Sequence, residues 1–314
     1  MKLYLICKPL SIEGFSASNH REFRYHCRVT GAALALVVAA ALVHAVWNAL
    51  AKRAQDQLVF LWSSVSVASV VLLPVGLAKL PEGGFPAAAA PFVAATIAIH
   101  ALYFFALGRA YRHGDFSRVY PIARGLGVVL VPVLALVVFD ERLSPLGTLG
   151  VALVVAGIGG LHLTSGAWSG AVPRASRAGT AWALATGLTI AAYSLVDKAG
   201  VGRLHPLPYL GLMGIGMSAL LTPVVLADRR ALAREWRLNW RTILVASTMN
   251  LTSYLLVLYA FRLSKVGYVV AARELSILFS AFIGSLWLGE GKLAPRLAGA
   301  SVVLAGVVCV AFAR

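Results

Sequence analysis

Apolar residues form long uninterrupted stretches along almost the whole chain, and short polar stretches separate them. A helix of about 20 apolar residues crosses the hydrocarbon core of a bilayer, and ten stretches reach that length. The predicted spans are residues 31–51, 58–78, 87–108, 116–139, 144–164, 178–197, 207–227, 241–262, 267–288 and 295–313. A membrane β-barrel would show alternating segments of about ten residues instead. The pattern therefore predicts an all-α, polytopic membrane bundle of ten transmembrane helices.

The composition also favours a lipid environment. Hydrophobic residues make up 60% of the 314 residues and charged residues 13%, whereas about a quarter of the residues in a soluble domain are charged. The formal net charge of +16 comes from short clusters between spans, such as Arg229-Arg230. Such clusters attract anionic lipid headgroups, and no basic face or aromatic stacking platform accompanies them. We therefore expect the lipid bilayer as a partner, and no nucleic acid.

The N-terminal residues 1–29 are polar and are predicted to form a tail. The apolar run that follows is about 20 residues long and has no small-residue cleavage site, so it is predicted to be a retained helix and not a signal peptide. Lys and Arg are almost evenly divided between the two sides of the predicted bundle. The positive-inside rule therefore does not fix the orientation.

Known cofactor and catalytic motifs are missing from the sequence. Cys7, Cys27 and Cys309 contain no CxxC pair, which argues against a disulfide framework or a zinc site. The chain has no GxxxxGK[ST] phosphate loop, no HExxH and no GxSxG, and Gly125-Leu126-Gly127 lacks the third glycine of a dinucleotide motif. We expect no cofactor, no metal and no enzymatic activity.

The two halves of the chain resemble each other. The polar stretch from Gly166 to Arg177 separates five predicted spans from five more. Pairs of landmarks recur at a spacing of 149 residues: Arg124 and Arg273, Glu141 and Glu290, Gly150 and Gly299. Because each half has an odd number of spans, the second half enters the membrane from the side opposite to the first. Two inverted five-helix repeats are predicted, over residues 30–165 and 178–314, an architecture common among secondary transporters.

Two further features concern helix packing. The loops are short, so consecutive helices are expected to be antiparallel neighbours. Small residues recur every fourth position in the fifth span (Ala152, Ala156, Gly160) and in the tenth (Ser301, Ala305, Cys309, Ala313). Such ridges let helix backbones approach closely in lipid. They predict a contact between the repeats or within a homodimer, or else ordinary packing within the bundle.

Arg124 and Arg273 lie within predicted spans, where a charged side chain is costly and usually faces a wet cavity or a partner. One interpretation is that both arginines line a central pathway and bind a carboxylate or a phosphate. The other is a structural ion pair between Arg124 and Glu274 across the repeat interface. Glu274 cannot easily serve its neighbour Arg273, because adjacent helical residues point about 100° apart.

Other polar side chains share single faces of apolar helices. His44, Trp47 and Asn48 lie at i, i+3 and i+4 of the first span, and His100 and Tyr103 share a face of the third. The same holds for Asn250 and Tyr254 in the eighth span, while Tyr193 aligns with Trp47 and Tyr120 precedes Arg124. These residues predict one interior binding surface, and the alternative is hydrogen bonding between helices, worth about 0.6 kcal/mol per bond on average.

Two groups are candidates for coupling transport to protons. They are His44 and Glu274, because an intramembrane environment can move the pKa of such groups into a usable range. Glu141 and Glu290 lie just before helix N-termini, where the helix dipole favours a negative charge, so a structural role is predicted for them.

Three stretches resemble EamA-type members of the drug/metabolite transporter superfamily. They are His44-Ala45-Val46-Trp47-Asn48, Arg118-Val119-Tyr120-Pro121-Ile122-Ala123-Arg124-Gly125, and Phe139-Asp140-Glu141-Arg142-Leu143-Ser144-Pro145 with its echo Gly289-Glu290. The resemblance covers residues 31–313. It implies ten helices in two inverted five-helix repeats, with both termini cytoplasmic. This sequence departs from the family pattern at Asp140, where glycine usually precedes the glutamate, and has an extra residue between Glu290 and Pro295.

The functional expectation is a secondary transporter in the plasma (inner) membrane that exports a small metabolite, such as an amino acid. The buried arginines indicate an anionic substrate. A flippase of a lipid-linked anionic substrate is the alternative, followed by an intramembrane enzyme or a sensor. No nucleophile–base or metal constellation supports an enzyme, and no soluble signalling domain supports a sensor.

Overall fold

A computed structural model describes residues 31–51, 54–113, 116–164, 174–279 and 293–313. In this part of the chain the regular structure is helical, with no strand. The α helices are α1 (Gly31–Ala51), α2 (Gln57–Leu77), α3 (Ala90–His113), α4 (Phe116–Phe139), α5 (Pro145–Thr164), α6 (Arg174–Val201), α7 (Pro206–Leu226), α8 (Arg229–Leu263), α9 (Val266–Arg273) and α10 (Leu293–Phe312). A 3₁₀ turn, Ala87–Ala89, precedes α3. The predicted tail, Cys7 and Cys27 included, lies outside the described residues.

Seven candidate membrane spans occur in the described residues, by length and composition. They are Gly31–Asn48, Gln57–Leu77, Ala87–Ala110, Ile122–Phe139, Arg177–Val201, Pro206–Leu226 and Arg229–Leu263. Their lengths of 18 to 35 residues suffice to cross the hydrocarbon core. The prediction of an all-α, multi-pass membrane protein is confirmed for the described residues.

Short polar side chains fix where several helices begin. The carboxylate of Asp56 accepts a hydrogen bond from the backbone N–H of Val59, and that of Asp228 accepts one from Ala231. Both satisfy an N–H group that has no acceptor inside its own helix. The cap at Asp228 starts α8 twelve residues before the predicted boundary of 241, so the helix includes the basic stretch that the sequence pattern assigned to a loop.

The main packing partners of each helix lie in the other half of the chain. The most extensive pairs are α5 with α10, α3 with α6, α4 with α6, α2 with α7 and α1 with α8. Consecutive helices such as α1 and α2, or α3 and α4, touch only slightly. The expectation that consecutive helices are close neighbours is therefore wrong for these pairs, although α4 and α5 do pack against each other. A short loop limits the distance between two helix ends, but the helix bodies can diverge and the other half can pack between them.

Glycines bring α5 and α10 into backbone contact. A Cβ atom at Gly306 would lie 2.5 Å from the carbonyl oxygen of Gly150, and one at Gly157 would lie 2.8 Å from that of Gly299. The small residues Ala152, Ala156, Ser301 and Ala305 are exposed instead. The predicted ridges thus do not form this helix contact, because the two helices meet on the adjacent face that carries the glycines.

Substituting Gly306 by alanine is expected to destabilise the protein by about 1–3 kcal/mol, because the added methyl group meets backbone atoms that cannot move aside. Gly159 on α5 is a matched control, since a Cβ there meets nothing within 4 Å. Thermal unfolding in detergent micelles measures both variants. Equal melting temperatures for Gly306→Ala and Gly159→Ala would show that the helices are not this close.

Asp140, between α4 and α5, adopts a left-handed backbone conformation with φ of 51°. Glycine adopts this conformation without strain, and aspartate is among the residues that tolerate it best. The turn therefore gives a physical reason for the glycine that the family resemblance implies at this position. Asp140 departs from the family pattern, but it still adopts the backbone conformation that this turn requires.

The predicted span 267–288 is not one continuous helix. The helix α9 ends at Arg273, Glu274 forms a turn, and helical structure resumes at residues 275–279. Residues 280–292 lie outside the described part of the chain. Discontinuous membrane helices commonly surround transporter binding sites, because an interrupted helix exposes backbone groups and redirects side chains.

Candidate functional site

A cavity of about 650 Å³, its opening included, lies between helices of both halves. Eight residues that the sequence pattern singled out for an interior surface line it: His44, Trp47, His100, Tyr103, Tyr193, Asn250, Tyr254 and Arg273. Each pair at i, i+3 or i+4 spacing reaches the cavity from one helix face, as helical geometry requires. Val65, Leu210, Met213 and Met217 add an apolar wall from α2 and α7.

An aromatic cluster forms the polar side of this cavity. The ring of His100 is stacked on that of Tyr193, with centroids 4.4 Å apart and planes inclined by 29°. Tyr254 meets His100 edge-on at 5.5 Å, and Tyr103 meets Tyr193 edge-on at 5.5 Å. Interlocked rings of this kind hold each other in one rotamer. The cluster is therefore a rigid surface for a flat or apolar ligand.

Arg273 supplies positive charge to the cavity. Its guanidinium carbon lies 5.7 Å from the ring centroid of Tyr254, within cation–π distance. Among the described residues, no carboxylate lies within 4.0 Å of it. Arg273 also borders a second cavity of about 180 Å³, together with His44, Ser253 and Val257. A buried cation that borders two cavities is suited to bind an anion.

Arg124 lies in a different environment and does not line the main cavity. Its Nη2 is 3.1 Å from Oε1 of Glu274, its Nε donates to Oε2 at 3.3 Å, and Nη2 also donates to Ser276. Both side chains of the pair are almost completely buried. The ion pair that the sequence offered as the alternative is present, so the two arginines of the duplicated landmark have different surroundings.

The remaining predicted site residues lie around this centre. Asn48 donates a hydrogen bond to the carbonyl oxygen of His44 at 2.7 Å and does not line the main cavity. The side chain of Tyr120 lies outside the described residues. The coupling role of His44 and Glu274 stays a prediction: His44 borders both cavities, and Glu274 is held by Arg124.

Sequence reasoning missed a buried carboxylate behind the aromatic cluster. Asp197 is 0% exposed and accepts hydrogen bonds from three hydroxyl groups, those of Thr96, Tyr209 and Tyr254. A signal was present, because Asp197 is the last residue of the predicted span 178–197. A charge at a helix end normally faces the aqueous phase, so the position alone does not indicate a buried carboxylate.

Glu141 acts on a different helix from the one expected. Its Oε2 accepts a hydrogen bond from the backbone N–H of Val266, the first residue of α9, and its Oε1 is 3.6 Å from Nζ of Lys198. Burial raises the pKa of Glu141, and Lys198 opposes that rise. Lys265, which precedes α9, also joins the two halves, because its ammonium group donates a hydrogen bond to the carbonyl oxygen of Arg142. The carboxylate thus stabilises a helix N-terminus, as predicted, but that of α9 in the other half and not that of α5.

Comparison with known proteins adds three findings. Residues 177–312 match the EamA-like transporter family. A curated multidrug transporter from Pseudomonas aeruginosa is 48% identical over 40 residues, which are 13% of this chain and 36% of that relative. A solved crystal structure superposes with a TM-score of 0.69 at 15% identity, covering 89% of this chain and 96% of the other. At that identity the superposition shows a shared fold and nothing about substrates.

These findings agree with the interior cavity and with the helices long enough to cross a membrane. The family match covers the second half, in which Arg273, Tyr254 and Asp197 lie. Residues 177–312 of this protein therefore form an EamA-like transporter domain.

Proposed function

We propose that this protein is a secondary transporter that exports a small carboxylate-bearing metabolite, such as an amino acid, across the plasma membrane. The observation that carries the proposal is the cavity wall around Arg273, a buried cation without an ion-pair partner in the described residues. Burying an unpaired charge is costly. A bound carboxylate would remove that cost, so it is the ligand that the site favours.

A hydrogen-bond donor in the cavity wall that has no acceptor favours a ligand that carries hydrogen-bond acceptors. The indole N–H of Trp47, which lines the same cavity, is buried and has no hydrogen-bond partner among the described residues. The aromatic and methionine walls favour a substrate with a flat or apolar body attached to its carboxylate.

The proposed architecture is ten membrane helices in two inverted five-helix repeats. Reciprocal contacts support it: Gly150 meets Gly306, and Gly157 meets Gly299. Residues of each half that are 149 positions apart thus exchange places, as a pseudo-two-fold axis requires. The pairing of α1 with α8 and of α6 with α3 follows the same exchange.

Transport, and not sensing or catalysis, is supported by the family match and by the similarity to a multidrug transporter from Pseudomonas aeruginosa. Because the sequence contains no phosphate loop of the GxxxxGK[ST] type, an ion gradient or substrate exchange is the proposed energy source.

The anion preference can be tested with matched ligands. Purified protein is heated in the presence of L-phenylalanine or its amide, and of benzoate or benzamide. The carboxylates are expected to raise the melting temperature more than the amides, and the difference is expected to vanish in Arg273→Gln. A charged hydrogen bond is worth about 1.5–3 kcal/mol, so affinity for the carboxylate should fall roughly 10- to 100-fold.

Arg142→Gln is the matched control, because the Arg142 side chain is 81% exposed and lies away from the cavity. It should keep the preference for carboxylates. Equal stabilisation by acids and amides in the unsubstituted protein would refute the anion site. If only lipid-linked anions stabilise the protein, the function is that of a flippase.

A further inference from the structure

We propose that His100 and Asp197 together form the site that binds the proton coupled to transport, and that proton and carboxylate substrate bind cooperatively. This inference rests on the proposed transport function and adds the coupling ion and its location. Neither residue was among the coupling candidates from the sequence, which were His44 and Glu274.

Asp197 is surrounded by neutral donors and not by a fixed cation. Thr96 donates to Oδ1 at 2.6 Å, Tyr209 donates to the same oxygen at 2.7 Å, and Tyr254 donates to Oδ2. The adjacent Lys198 points elsewhere, donating to the carbonyl oxygens of Phe261 and Ser264. Hydrogen bonds stabilise the ionised carboxylate, but its charge is left uncompensated in a low-dielectric interior.

His100 is the group that can compensate this charge. Its Nδ1 lies 3.0 Å from both the backbone carbonyl oxygen and the hydroxyl oxygen of Thr96. The carbonyl can only accept, and the hydroxyl donates its hydrogen to Asp197, so Nδ1 carries a hydrogen. In the neutral ring Nε2 is then the unprotonated nitrogen, and it lies 3.9 Å from Oδ2 of Asp197. A proton taken up from the cavity, which His100 lines, binds to this Nε2. The product is an imidazolium beside a carboxylate, and no other bond forms or breaks.

Several charged and titratable groups surround the pair. Tyr193 stacks on the His100 ring, Tyr103 meets it edge-on, and His44 lines the same cavity. The helices packed against α6 contribute His100 from α3, Tyr209 from α7 and Tyr254 from α8.

On α4, Arg124 is paired with Glu274. Among the described residues, the nearby cation with no carboxylate within 4.0 Å is Arg273 of α9, which lies over the Tyr254 ring. Arg273 thus supplies the positive potential that opposes an imidazolium at His100.

This arrangement links the proton site to the substrate site through one side chain. Tyr254 donates its hydroxyl hydrogen to Asp197 and stacks its ring under Arg273. When a substrate carboxylate neutralises Arg273, the potential against a second positive charge falls and His100 can take up a proton. Binding linkage is reciprocal, so a bound proton strengthens carboxylate binding by the same factor. Proton and substrate then cross the membrane in the same direction, so export requires an outward substrate gradient that exceeds the inward proton gradient.

The first experiment needs no substrate. Protein labelled with ¹⁵N in its histidine rings is titrated, and the His100 signals are assigned with His100→Gln. Nε2 of His100 is expected to gain a proton between about pH 9 and about pH 5. In Asp197→Asn it should stay unprotonated over that range, because the compensating carboxylate is gone. If His100 does not titrate, or titrates identically in both proteins, the proton site is wrong.

The second experiment uses vesicles containing purified protein and a mixture of the twenty protein amino acids, with isotopically labelled amino acids outside. Uptake driven by a pH gradient is compared with counterflow at equal pH. The ratio of gradient-driven uptake to counterflow is expected to fall about tenfold or more in Asp197→Asn and in His100→Gln. Unchanged ratios in both variants would overturn the coupling role.

Glu235→Gln is the matched control, since Glu235 is also 0% exposed but lies near the N-terminus of α8, held by the backbone of Asp56 and by Asn239. It should keep the ratio of the unsubstituted protein. Absence of counterflow in the unsubstituted protein would count against amino acid transport, and the titration would still decide the proton site.

Discussion

Replacing Arg124 by alanine is expected to lower the free energy of unfolding by about 3–5 kcal/mol, because it leaves the Glu274 carboxylate buried without its cation. Both side chains are almost completely buried, and the guanidinium contacts both carboxylate oxygens and Ser276. The pair also connects α4 with the turn that follows α9, so its loss should loosen the contact between the halves. Thermal unfolding in detergent micelles measures the change.

A double substitution separates the pair from the charge that it leaves behind. In Arg124→Met with Glu274→Met, both charges are replaced by apolar side chains of similar length. Most of the lost stability should return, since replacing a whole buried ion pair by apolar residues is often neutral or stabilising. If the double variant is no more stable than Arg124→Ala, direct loss of packing would be the cause and the ion-pair interpretation would fail.

The second large effect is expected from Gly125→Glu. Arg124 and Arg273 are 149 residues apart, and the residue after each is Gly125 in one half and Glu274 in the other. Under the proposed pseudo-symmetry, position 125 faces Arg273 as Glu274 faces Arg124. A carboxylate there would compete with the substrate for Arg273, reducing the affinity for benzoate and L-phenylalanine about 10- to 100-fold.

The position has room for a Cβ atom, which at Gly125 would meet only Cγ2 of Ile158, at an ordinary 3.7 Å. Gly125→Gln is the matched control: it has nearly the same size without the charge, and it should bind these carboxylates within about threefold of the unsubstituted protein, a difference of under 1 kcal/mol. Equal binding by the Glu and Gln variants would show that position 125 does not face Arg273. Equal loss in both would show a steric effect.

The asymmetry between the two arginines is what makes the site functional in this interpretation. Two equivalent arginines at the interface of inverted repeats would each be buried with an unpaired charge. Glu274 forms an ion pair with Arg124, while its carboxylate lies more than 4.0 Å from the charged nitrogens of Arg273. The remaining arginine keeps its charge available in the cavity, so one substitution in one repeat separates a structural ion pair from a binding site.

Much of the site could be predicted from local patterns. The i, i+3 and i+4 spacing of His44 with Trp47, of His100 with Tyr103 and of Asn250 with Tyr254 fixes which side chains share a helix face, and all six line the cavity. The Arg124–Glu274 pair was one of two alternatives that the cost of a buried charge and the angle between adjacent helical residues left open.

Other features depend on how distant helices meet. Asp197 lies at a predicted helix end, where sequence pattern alone suggests an aqueous environment, and only the packing of α3, α7 and α8 around it makes it a buried acceptor for three hydroxyls. The glycine stripe, and not the predicted ridge of small residues, joins α5 to α10. The pattern of small residues gives the faces available for contact but not the face that is used.

The sequence by itself determined that this is an all-helical, multi-pass membrane protein, because the free energy of placing side chains in lipid depends on the local run of residues. It also determined which polar groups are too costly to face lipid. The tertiary structure decided which buried charge is compensated and which faces the cavity, and which carboxylate lies behind the aromatic cluster. These depend on contacts between residues up to about 150 positions apart, whose distances no local pattern fixes.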